Sequence, residues 1–434
     1  MSVTKIYVVK SFRISQTIRG FKMSDPKGFP SLKASLDSVS PTTYKALSAR
    51  AESKVAHEEA LEDMKTHILK LYDKIEAEHS FMDETGAIYD CIPIEQQPSL
   101  KGKRPPEAPD APPAAGGQYE ARKDSFVGSP LGPDRKDRHG NAMQCPAETV
   151  PMRRVTLEDL SRFKTLQDFF RKGPGGAGLH PRAGNPRVLV WPRWAQAYQF
   201  VPNAGGSSTL NIWDPPIGGN HVVSCSQHSY EGRSGGALQV IECGWHVFPA
   251  RYGDTRPHLF TYWTADGCNQ TGCYNLQCPA FVQTGSTFAP GMALETSVIG
   301  GAMKVITLAY WHTGGRWWLY VNGTAASNAI GYYPDTIFEG GTLAGNASEI
   351  YYGGEVLGTT SFPPMGSGRF AKERYGKAAY QRSIHYYPPQ GGAAVVAELT
   401  AEQDWPSCYT AEFVQYQEAP WMATLWFGGP GGNC

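Results

Sequence analysis

The 434-residue chain contains no run of 18 apolar residues, and its start, MSVTKIYVVKSFRIS, lacks the unbroken apolar core of a secretory leader. The first absence excludes a membrane-spanning helix. The second leaves the expectation that a leader has been removed or that export takes another route. There is no excess of either charge: 40 Lys and Arg stand against 40 Asp and Glu, so no long-range field draws the protein to nucleic acid or to an anionic membrane. No His-Glu-x-x-His occurs and no cysteines are spaced Cys-x-x-Cys, which speaks against a metalloenzyme; neither metal nor cofactor is expected. Tryptophan is missing from the first 190 residues. All 11 Trp lie at or after Trp191, whereas the first 186 residues hold 52 of the 80 charged side chains. The chain thus has two parts of different kind, and the second is the expected working domain.

Nine cysteines are present, some as close as Cys268, Cys273 and Cys278, a density that favours an oxidising, extracellular compartment and leaves at least one cysteine unpaired. Residues 42–80 read as one long amphipathic helix, with Leu61, Met64, Ile68, Leu71 and Ile75 recurring at steps of three and four. Residues 101–134, with Pro105, Pro106, Pro109, Pro112 and Pro113, read as an exposed linker too polar to bury. A short helix is expected from Thr156, where Thr156 and Asp159 form a capping-box pattern. After Arg187 the period changes to two. About a dozen strands follow, among them 195–201, 238–247, 292–299 and 350–356, separated by turn residues. This pattern predicts an all-β domain, a sandwich of two antiparallel sheets, behind a largely helical N-terminal part.

Several blocks carry a resemblance. In the first half they are Gly86–Ile92 with Gln96-Gln97-Pro98, and Cys145–Arg154. In the second they include Ile241-Glu242-Cys243-Gly244-Trp245, Tyr252-Gly253-Asp254, Phe260–Gly267, Gly272–Cys278, Trp317-Trp318, Gly331–Pro334, Tyr352–Val356, Met365–Gly368 and Gly428–Gly431. In this order they resemble the neprosin family, glutamic peptidases that cut after proline, together with the family's activation propeptide. The resemblance implies a catalytic β-sandwich over 182–434 with Glu242 and Glu355 as its carboxylate pair. It also implies a pro-segment in three pieces: a helical part at 1–100, the linker at 101–134, and a second part with the cleavage region at 135–181. Disulfides Cys273–Cys278 and Cys408–Cys434 are implied as well, and Cys225 with Cys243 is entertained as a third pair.

Two carboxyls sharing a site hold one proton over an acidic range, because repulsion and desolvation raise the proton affinity of one of them. The ionised partner activates water; the protonated one polarises the carbonyl and later protonates the departing amine. Which glutamate plays which part is left open, because such a pair titrates as a unit. On strands, Glu242 would share a face with Gly244 and His246, and Glu355 with Gly353 and Tyr351. Trp245, Tyr262, Trp263, Trp317 and Trp318 are candidates to wall a proline-binding subsite, set against their use as core. The expected partners are proline-containing peptides and proteins, with the chain's own pro-segment as inhibitor; the expected form is a secreted monomer. Self-cleavage is placed after Pro181, with acid-titrating groups such as His57, His67 and His79 loosening the docked segment. Three rival readings are a serine hydrolase, from Gly232-Arg233-Ser234-Gly235-Gly236, a glycosidase working with two carboxyls, and a sandwich-type binding module.

Overall fold

The computed structural model describes residues 25–100, 102–113, 124–172, 191–219 and 221–434. Up to Lys172 the elements are α1 (Leu32–Asp37), α2 (Tyr44–Ser48), α3 (Glu58–Leu71), β1 (His79–Met82), β2 (Ile88–Pro93), β3 (Asp124–Phe126), β4 (Thr149–Arg153), α4 (Leu157–Ser161) and α5 (Leu166–Phe170). Strands β1, β2 and β4 form a small antiparallel sheet, and Cys91 on β2 is joined to Cys145, a disulfide not foreseen from the sequence.

The apolar stripe of α3 is buried as its spacing requires: Leu61, Met64, Ile68 and Leu71 all face inward. Its start is capped by the His57 ring, which accepts from the Ala60 amide at 3.2 Å. The single helix expected over 42–80 is, however, broken. Residues between α2 and α3 leave the helix so that the amides of Lys54 and Ala56 can donate to the Ser161 and Lys164 carbonyls, and beyond Tyr72 the chain turns at Lys74, φ 61°, into β1. Tertiary hydrogen bonds override local periodicity here. The capping box of Thr156 and Asp159 is present at α4.

The proline-rich stretch is exposed over much of its described length, but it does not hang free of the sandwich. Where described, it lies along the sandwich: the Ala111 amide donates to Thr324, Tyr320 donates to the Pro109 carbonyl, and β3 adds to a sheet of the second half.

That second half contains β5 (Trp191–Asn203), β6 (Gly205–Asn211), β7 (His221–Ser234), β8 (Ala237–Val247), a short helix α6 (Pro249–Tyr252) and β9 (Pro257–Thr264). Then come β10 (Cys273–Tyr274), β11 (Val282–Gln283), β12 (Met303–Thr313), β13 (Arg316–Val321), β14 (Ala329–Pro334) and β15 (Ala347–Gly358). The last are β16 (Ala379–Tyr386), β17 (Val395–Val396), β18 (Thr400–Gln403), β19 (Thr410–Gln415) and β20 (Ala423–Gly428). One sheet has the order β10-β9-β8-β7-β15-β5-β18. The other runs β11-β14-β13-β12-β6-β16-β20-β19, with β17 beside β16 and β3 paired in parallel with β12. Apart from β3, the strands of both sheets are antiparallel. The two sheets pack face to face, giving the sandwich that the alternation predicted.

The core between the sheets is continuous, with Ile241, Trp245 and Val247 of β8 in one cluster with Leu210, Ile306 and Leu308 of the opposite sheet. The Trp245 indole donates across it to the Asn211 carbonyl at 2.9 Å. The segment 292–299, expected as a strand, instead follows an irregular path with a single bridge from Ala293 to His258.

Candidate active site

The seven-stranded sheet sets the site by register. Glu242 on β8 stands opposite Ser229 of β7 and Tyr262 of β9; Glu355 on β15 stands opposite Cys225 of β7 and Trp194 of β5. Paired residues share a face, so both glutamates project from the side turned away from the core. Between them on β7 lies Gln227, opposite Gly244 on one side and Gly353 on the other. These glycines are needed. A Cβ on Gly244 would lie 2.1 Å from the Ser226 carbonyl oxygen, and one on Gly353, where φ is +151°, 2.5 Å from that of Ala195. The glycines make a trough into which the two long side chains lean, and both carboxyls are buried.

They meet at one ammonium. Lys172 Nζ lies 2.8 Å from Glu242 Oε2 and 2.6 Å from Glu355 Oε2, and the lysine is itself buried. Nothing in the sequence singled out Lys172, which follows the end of α5 and belongs to the part N-terminal to the sandwich. Burial alone would lower the lysine's pKa, but the two carboxylates outweigh it and hold the ammonium well above its ordinary range. The Glu242 carboxyl is pushed up to about 6, raised first by burial and then by Glu355, with Lys172 pulling against both. Glu355 is also held by Gln227, whose Nε2 donates to its Oε2 at 3.2 Å. Glu242 Oε1 has no donor among the described residues.

Of the five aromatic candidates, only Tyr262 is on the glutamates' face, directly beside Glu242 and fully buried. Trp245 and Trp263 project from the opposite side of their strands, Trp245 into the core and Trp263 against Phe338. Trp317 is on the other sheet, its indole donating to Leu343, and Trp318 packs beneath Leu100 and Ala111. Trp245, Trp263 and Trp317 are core residues, and Trp318 is buried on the outer face of the larger sheet beneath the linker. A second ring, Trp194, flanks the pair on the other side, half-buried opposite Glu355, in a groove with Gln227, Ser229, Glu231, Tyr351 and Gly353.

Disulfides join Cys273 to Cys278 and Cys408 to Cys434. Cys225 and Cys243 are not joined: both are thiols, as is Cys268, and they project from opposite faces of the sheet, Cys225 on the side of Glu355 and Cys243 toward His228. The Ser234 motif is a hairpin tip between β7 and β8, with Gly235 and Gly236 both at positive φ, not a strand-to-helix elbow. Pro181 lies outside the described residues.

Comparison with known proteins gives two results. The solved structure of scytalido-glutamic peptidase with a transition state analog inhibitor overlaps 56% of this chain and 99% of its own, at 9% identity and a TM-score of 0.32. That of SCP-B, a member of the Eqolisin family of peptidases, in complex with the tripeptide Ala-Ile-His, overlaps the same shares at 8% identity and a TM-score of 0.30. The Neprosin family model matches residues 220–430, which span β8 with Glu242 and β15 with Glu355. Over these residues the chain carries a Neprosin domain.

Proposed function

We propose that the chain is the latent form of an acid-active glutamic endopeptidase that cuts after proline, with Glu242 and Glu355 as its catalytic pair. The observation that carries this reading is the convergence of two buried carboxylates on a single cation in a trough cleared by Gly244 and Gly353. A cation between them balances two charges that burial would not otherwise tolerate; without it the pair needs a proton.

In the active form one shared proton takes the place of the ammonium. Glu242, whose carboxyl is pushed up to about 6, is the partner better suited to carry it, and Glu355, fixed by Gln227, is the base. Glu355 takes a proton from a water as its oxygen attacks the scissile carbonyl. Glu242 donates its hydrogen bond to the developing oxyanion, the C–N bond then breaks, and the departing amine receives a proton from the pair. A rigid proline ring fits the groove against Trp194 and Tyr351, where a flat apolar face costs little side-chain entropy to engage.

Latency rests on the segment before the sandwich. Lys172 occupies the place that water and substrate need, and α3 meets the catalytic part through His67, beside the Gln277 backbone and edge-on to Phe170 at 4.9 Å. Burial lowers the His67 pKa to about 4, with Lys70 adding to the lowering and Gln277 opposing it. A histidine with a lowered pKa stabilises docking above its free value near 6.5, and that contribution is lost as pH falls toward 4. Below about 6 Glu242 also takes a proton, and one of Lys172's two ion pairs loses its charge. Both effects release the segment in acid. Self-cleavage is placed after Pro181.

The test is to incubate full-length protein in acid with proline-containing peptides, read the products by mass spectrometry, and sequence the new N-terminus of the large fragment. Wild type is expected to cut after proline, while Glu242→Gln and Glu355→Gln, each folded by circular dichroism, lose activity by about 10³-fold or more. Either variant retaining most of the activity refutes the assignment.

A further inference from the structure

Resting on the proposed peptidase with a removable segment, we infer that Arg251, with Phe248 and Tyr274, forms a second peptide-binding subsite. It takes an aromatic residue of the substrate two or three positions from the residue held at the glutamates. Arg251 is the second residue in from the end of the short helix α6 and is fully buried. Four rings enclose its guanidinium: Phe163 at 5.6 Å, Phe169 at 4.8 Å, Phe248 at 5.2 Å and Tyr274 at 4.1 Å. Nη1 donates to the Gln277 side chain and Nη2 to the main-chain carbonyl of Phe169, while Nε has no acceptor among the described residues.

Half of this surrounding is borrowed. Phe163 and Phe169 belong to the segment that also carries Lys172, and so does the carbonyl that Nη2 holds. Once that segment departs, Arg251 keeps Phe248, Tyr274 and Gln277 and loses two rings and one acceptor. What is left is a guanidinium with open donors between two aromatic side chains, a poor state for a charge to be left in and a good receptor for what has gone. The group that restores it is a planar ring on a residue whose own carbonyl faces Nη2, which is how Phe169 occupies it now.

The subsite adjoins the catalytic pair. Tyr274 stands opposite Tyr262, which stands opposite Glu242, and His246, on the glutamates' face, packs 5.3 Å from the Tyr274 ring. Phe169 and Lys172 are three residues apart, at most about 10 Å of chain, the reach of two or three residues of an extended peptide. Arginine suits this role where lysine does not, because its planar fork stacks between rings while its edge donates.

The experiment uses full-length protein shifted to acid and a set of peptides with one fixed proline, in which a single Phe is moved through the neighbouring positions against an all-Ala reference. Wild type should favour Phe at one position, two or three residues from the proline, by roughly tenfold in kcat/KM, mostly through KM. Arg251→Lys should shrink that Phe-to-Ala ratio to about twofold. A flat scan in an enzyme that cuts all the peptides overturns the subsite while leaving the peptidase standing, and the wild-type scan decides this even where Arg251→Lys does not fold. An unchanged ratio in a folded Arg251→Lys overturns the role of Arg251. A wild type that cuts no peptide refutes the peptidase and the subsite together.

Discussion

Replacing Lys172 with methionine keeps most of the volume in the trough and removes the ammonium, so the two carboxylates lose the cation they now share. Each contact, at 2.8 and 2.6 Å, is worth about 6 kcal/mol by Coulomb's law at an effective dielectric of about 20, before the cost of drying the ammonium is set against it. Breaking a buried ion pair from one side costs about 3–5 kcal/mol net, because the remaining charge stays buried and unpaired. At about 1.4 kcal/mol per factor of ten, docking of the segment weakens by at least about a hundredfold. The cost depends on pH, and its sign follows from Glu242. Without Lys172 nothing pulls that carboxyl down, while burial and Glu355 still push it up, so in the docked variant it titrates above 6. Taking up a proton removes one of the two unpaired charges, so the variant's deficit is greatest above the Glu242 titration and shrinks as pH falls toward about 6. Wild type should therefore wait for acid before it is processed, and Lys172→Met should be processed at neutral pH too, its profile flattened across that interval. The assay is the rate of appearance of the large fragment on a gel at a series of pH values. A variant as slow as wild type at pH 7.5, with the same acid onset, refutes a latch built on Lys172.

The remaining predictions concern the histidine and the thiols. His67→Leu removes a group whose lowered pKa stabilises docking only above about 4, so the variant should stay docked further into acid and its processing onset should move to lower pH; an onset unmoved or raised contradicts this. Peptide mapping without reduction should find Cys225, Cys243 and Cys268 as alkylatable thiols after unfolding, and none of Cys91, Cys145, Cys273, Cys278, Cys408 or Cys434. Labelling at Cys273 or Cys408 counts against that pairing.

The sandwich was legible because alternation is a local signal that each strand repeats, and the same period placed Gly244 and His246 beside Glu242. The parity that brought those residues together also settles two of the tryptophans. Trp245 is three residues from Glu242 and so must project from the other face, as must Trp263 beside Tyr262. Trp194 is different. Its place opposite Glu355 depends on how β5 registers against β15, strands more than a hundred residues apart, and no local pattern carries that. Cys225 and Cys243 pose the same problem, since only the β7–β8 register reveals that they point apart. Lys172 was beyond reach for another reason: one lysine after an arginine looks like any solvated charge, and its meaning comes wholly from the two carboxylates it meets. The long helix failed where main-chain partners from α4 and its surroundings drew residues 54 and 56 out of helical geometry.

Strand β3 lies upstream of Lys172, yet it is hydrogen-bonded into the larger sheet along β12, and its Asp124 is buried against Arg382, Tyr375 and Tyr380. Cys91 and Cys145 close a loop around it, so a nick between them leaves the two ends tied. A single cut beyond Lys172 therefore yields two polypeptides that remain one particle, and severing the chain and shedding the severed piece are separate events with separate rates. Denaturing electrophoresis counts the first and a sizing column the second. On the activation proposed above, the delay between them is the time the sheet takes to surrender a strand, and the expected rise of activity follows that departure rather than the cut.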